Sequence, residues 1–167
     1  MNGSPRFARL DGERTSVVWM ARGDALALLH LGPRLPDDED LAALAAAAAR
    51  GRHENQPDVP PTGGLLPHPR TGWRGPLLAE FALDGLPVTP RWTGLTIETT
   101  PDLRTIYAEW KDEALETHLR ISWTMGAGDV IVTHSQLTDT GPRAIDERGV
   151  VATRCAALLL PLPRGFD

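Results

Sequence analysis

Between residues 105 and 123 the chain alternates apolar and polar positions with a period of two. Ile106, Ala108 and Trp110 point one way, and Tyr107, Glu109 and Lys111 the other. After the polar stretch Lys111-Asp112-Glu113, Leu115, Thr117, Leu119, Ile121 and Trp123 oppose Glu116, His118, Arg120 and Ser122. Alternation of this kind predicts strands buried on one face, and a charged break between two of them predicts an antiparallel pair. The same reasoning finds other hairpins. Val17–Met20 and Ala25–Leu31 flank Arg22-Gly23-Asp24, while Leu78–Leu83 and Leu86–Val88 flank the turn dipeptide Asp84-Gly85. Gly126-Ala127-Gly128-Asp129 leads into Val130–Leu137, and Thr138-Asp139-Thr140-Gly141 turns into a last apolar run that ends at Leu158–Pro163.

One segment breaks the β pattern. Asp37-Asp38-Glu39-Asp40 precedes an alanine-rich run from Leu41, with Arg50 and Gly51 at its end. Acidic residues before, alanine within and glycine after predict a helix. Leu41, Leu44, Ala45 and Ala48 form a narrow apolar stripe on it, suited to a sheet edge. Residues 51–76 then carry six prolines and five glycines, which excludes a regular element and marks a long loop. The expected architecture is mostly β: an antiparallel β-sandwich with one short Ala-rich helix.

The chain has 167 residues, enough for one domain over 1–167. Its 17 Lys+Arg against 22 Asp+Glu give a net charge of −5, so it lacks the positive field that nucleic-acid binding draws on. No apolar run approaches the ~20 residues of a membrane helix, and the N-terminus has no signal-type core. A soluble, cytoplasmic protein that binds neither nucleic acid nor membrane is expected. The single Cys155 excludes an internal disulfide; its apolar neighbours suggest a buried thiol.

No residue set forms a self-sufficient catalytic site, so no catalytic residue, metal or cofactor is assigned. His30, His53, His68, His118 and His134 share no ligand spacing. Glu109, Asp112, Glu113 and Glu116 gather at one hairpin tip, where carboxylates are normally solvated. His118, Glu116 and His134 lie on adjoining strands, an arrangement that could in principle move protons in sugar ring opening. The long loop holds Asn55, Asp58, Arg70, Trp73 and Arg74. Amide, carboxylate and indole on a proline-stiffened loop can suit a sugar, but composition by itself favours a structural loop with a packed Trp73.

Four stretches occur in an order that resembles a known family. They are Leu28-Leu29-His30-Leu31-Gly32-Pro33-Arg34-Leu35, His53-Glu54-Asn55-Gln56-Pro57-Asp58-Val59, Leu65-Leu66-Pro67 through Thr71-Gly72-Trp73-Arg74-Gly75-Pro76-Leu77, and Leu137-Thr138-Asp139-Thr140-Gly141 with Ala157–Pro163. Together they are similar to the N-terminal, non-catalytic β-sandwich of family-36 glycoside hydrolases, the α-galactosidases acting on sugars such as melibiose and raffinose. The chain departs from that pattern at Leu31 and His30, where the family has tryptophan and tyrosine, and in its alanine-rich residues 41–49.

The resemblance implies a galactose-mutarotase-like supersandwich, here incomplete, preceding a (β/α)8 barrel that holds both catalytic aspartates. It implies that Asp58 and Trp73 contact the α-galactoside, and that unfinished sheet edges drive assembly into a homo-oligomer. The alternatives are a stand-alone mutarotase-like sugar isomerase and a carbohydrate-binding or assembly module.

Overall fold

The computed structural model describes residues 4–49, 77–143 and 146–156. Among them, ten strands and one α-helix form three antiparallel sheets. β1 (Arg6–Asp11), β2 (Thr15–Arg22) and β3 (Ala25–Pro33) make the first sheet, followed by α1 (Leu41–Ala48). β4 (Ala79–Leu83) and β5 (Leu86–Val88) join β10 (Val150–Cys155) in the second, ordered β10-β4-β5. β6 (Thr93–Thr99), β7 (Thr105–Asp112), β8 (Thr117–Met125) and β9 (Ile131–Asp139) run consecutively in the third.

The first and third sheets stack face to face, which makes the molecule a β-sandwich. Ala8, Leu10, Val17, Trp19, Ala21 and Leu26 meet Leu95, Ile106, Ala108, Trp110, Leu119, Ile121, Trp123 and Met125 in one buried cluster. At its centre the Trp19 and Trp123 rings lie 4.6 Å apart and tilted by 36°. The second sheet buries Ala79, Phe81 and Val150 with Leu115 in a smaller cluster at one end.

The expected hairpins are present. Asp84 (φ 49°) and Gly85 (φ 80°) form the left-handed turn between β4 and β5. The β7–β8 alternation is borne out residue by residue in their burial. Leu28-Leu29 breaks alternation in β3, and the ladder absorbs it with a bulge opposite Val18/Trp19. Helix α1 starts at the expected place because the Asp40 carboxylate accepts from the Ala42 and Ala43 N–H groups. No residue of α1 is buried; Leu41, Leu44 and Ala45 are its half-buried positions.

Two expectations need correction. Cys155 is exposed, because it lies on β10 at the edge of a sheet. Asp112 is 3% exposed rather than solvated at a tip, because it ends β7 on the core side and serves backbone donors there. Among the described residues, no helix is long and apolar enough to cross a membrane.

Candidate functional site

Because β7 and β8 give alternate residues to the core, their remaining side chains form the outer face of the third sheet. Register aligns those side chains into rows. Tyr107, Ser122 and His134 form one, Glu109, Arg120 and Gln136 the next, and Lys111, His118 and Thr138 the third. Glu109 holds the middle of the face: its Oε1 lies 3.1 Å from Arg120 Nε and its Oε2 3.5 Å from His118 Nε2. Arg120 leans diagonally, so that Cζ sits 4.2 Å from the centroid of the Tyr107 ring. The guanidinium is thus held by a carboxylate and an aromatic face while its side chain stays 45% exposed. Beside it is an open depression of about 260 Å³, lined by Tyr107, Arg120, Ser122, His134 and Gln136.

Other polar groups brace the turns and the junctions between sheets. Asp24, in the β2–β3 turn, accepts from Gly94 N–H at 2.8 Å and Leu95 N–H at 3.3 Å, and its carbonyl accepts from Trp110 Nε1 at 3.0 Å. At the opposite end, Asp129 accepts from Glu13 N–H at 2.6 Å and Arg14 N–H at 2.8 Å. The Arg14 N–H above all holds the Asp129 carboxyl below its ordinary 3.8; desolvation opposes it, and the Glu13 N–H adds to the lowering. The Thr100 hydroxyl, followed by the Arg104 N–H, lowers the Asp102 carboxyl in the same way. Asp112 accepts from the Arg91, Ala114 and Leu115 N–H groups. Arg148 gathers Glu116, Asp139 and the Leu115 carbonyl, tying the β10 end to the third sheet.

Asp58 and Trp73 lie outside the described residues, as do stretches 53–59, 65–76 and 157–163 of the ordered motifs. The His118–Glu116–His134 combination does not come together. Glu116 occupies the β7–β8 turn (φ 49°) and pairs with Arg148 at 2.8 Å. His118 pairs with Thr138 and Ser122 with His134, which separates the two histidines by four strand positions, about 13 Å. His118 turns to Glu109 instead. Tyr107, Arg120, Ser122 and Gln136 were not singled out from the sequence. The signal for them is alternation combined with the register of three strands, and register depends on pairing. No family model matches the chain, and no curated protein sequence matches it either.

Proposed function

We propose that this chain acts as a non-catalytic β-sandwich domain of an α-galactosidase, supporting fold, assembly and the galactose pocket while the bond-breaking aspartates lie on a (β/α)8 barrel. The observation that carries the non-catalytic part is how the described carboxylates are used. Asp24, Asp112 and Asp129 accept backbone N–H groups at strand junctions, and Glu116 and Asp139 bind Arg148. Retaining cleavage instead needs two carboxyl groups about 5–5.5 Å apart that flank one open bond. The order of the four motifs supports the galactosidase type, with Asp58 accepting a sugar hydroxyl and Trp73 packing on the ring. Assembly draws support from the edge strands β5 and β10, where Leu86 is 72% and Val151 55% exposed.

The test is calorimetry of the purified chain, freed of host enzymes, against melibiose. Saturable heat without release of free galactose is expected. Asp58→Ala should remove that heat and leave the melting temperature within about 2 °C, as for a surface change. Melibiose cleavage by the chain alone overturns the reading. So does an Asp58→Ala variant that loses stability but keeps the heat.

A further inference from the structure

We propose that the depression on the outer face of the third sheet is a binding site for a small polyhydroxy carboxylate of single-ring size, a hexuronate-type sugar acid, centred on Arg120. The proposal uses neither Asp58 nor Trp73 and does not depend on the galactosidase reading.

Four observations carry it. First, Arg120 is exposed yet held in place, by Glu109 at 3.1 Å on Nε and by the Tyr107 ring at 4.2 Å. An arginine so positioned loses little further side-chain entropy when a ligand arrives, and its terminal nitrogens remain donors suited to a planar carboxylate. Second, the other lining groups are a phenol, an alcohol, an imidazole and a carboxamide, from Tyr107, Ser122, His134 and Gln136. They can exchange hydrogen bonds with ring hydroxyls, and among the described residues the nearest carboxylate to the guanidinium, Glu109, is engaged on its Nε side and is not part of the lining. Third, the guanidinium already covers the Tyr107 face, so a neutral sugar lacks an open aromatic platform and an acidic one has a cation. Fourth, a cavity of about 260 Å³ falls just below the ~300 Å³ at which drug-sized pockets begin, which suits one ring. Glu109 selects among anions: its charge beside Arg120 opposes a phosphate dianion more than a carboxylate monoanion.

The probes are sodium galacturonate, galactose and sodium phosphate, titrated into the full chain at equal ionic strength. Binding is followed by calorimetry and by shifts of the amide resonances of β7, β8 and β9. Galacturonate is expected to saturate in the millimolar range, with phosphate and galactose each about tenfold weaker or more. Arg120→Lys keeps the charge and loses the planar fork, so galacturonate affinity should fall about fivefold or more. Lys111→Gln, on the same face but outside the depression, should hold affinity within about twofold. Thermal melting of both variants confirms that the sheet is intact. The proposal is overturned if galacturonate fails to saturate by about 50 mM. It is equally overturned if galactose or phosphate binds as tightly, if Arg120→Lys binds as well as the parent, or if Lys111→Gln costs as much as Arg120→Lys.

Discussion

Trp110 and Trp123 are both buried in the main core, 0% and 1% exposed, yet replacing each by phenylalanine should have different costs. Both substitutions delete the same atoms from the same core, so the transfer and cavity contributions are similar and largely cancel in the comparison. Their indole N–H groups differ. Trp110 Nε1 donates to the Asp24 carbonyl at 3.0 Å, a bond worth about 1 kcal/mol net. Trp123 Nε1 is buried without a partner among the described residues, as is Trp19 Nε1 against which it packs. An unpaired buried donor costs about 1–3 kcal/mol, which Trp123→Phe removes. Trp110→Phe should therefore be the more destabilising by about 2–4 kcal/mol. Urea unfolding reads this as a lower midpoint at unchanged slope. For a chain of this size it corresponds to at least about 4 °C in melting temperature. Equal losses in the two variants would refute the reasoning, because they would mean that the Trp123 N–H is satisfied in solution.

Three further outcomes test the junctions between sheets. Asp129 has a lowered folded pKa, so its stabilisation is present above the ordinary 3.8 and disappears as pH falls through the folded value. Melting curves should show the parent protein ahead of Asp129→Asn at neutral pH, with that lead vanishing in strong acid; a lead that persists there would contradict the assignment. A Cβ at Gly12 would collide with the Asp129 carboxylate. Gly12→Ala should thus cost about 1–3 kcal/mol, and combination with Asp129→Gly should be clearly less than additive in a double-mutant cycle. Asp112→Ala strips the acceptor from three N–H groups and should cost about 3 kcal/mol or more by denaturant unfolding.

The hairpins and the helix could be read locally because each carries its own punctuation: Gly23-Asp24, Asp84-Gly85, and Asp40 before an alanine run. Alternation across β7 and β8 also settled which face is apolar, since a strand buried on one side needs that pattern whatever covers it. Two strands escaped. β1 offers only Ala8 and Leu10 to the core, flanked by Arg6, Arg9 and Asp11, and β6 offers Leu95 and Ile97 beside a left-handed Gly94. Two inward residues make too weak a period to distinguish a strand from a polar connection. Their burial comes from what stacks on them, with Arg6 reaching the Leu95 carbonyl at 3.0 Å across the sheets.

From the sequence alone came the chain's β class, its hairpin turns, the helix at Leu41–Ala48 and the polarity of the β7 and β8 faces, because these depend on neighbours within a few residues. Tertiary structure decided the division into three sheets, the burial of Asp112, the exposure of Cys155 and the separation of His118 from His134. It also placed Tyr107, Arg120, Ser122, His134 and Gln136 around one depression. Each of those outcomes depends on register or stacking between segments distant in the chain. A shift of one residue in pairing would leave the local pattern unchanged and turn every side chain to the opposite face.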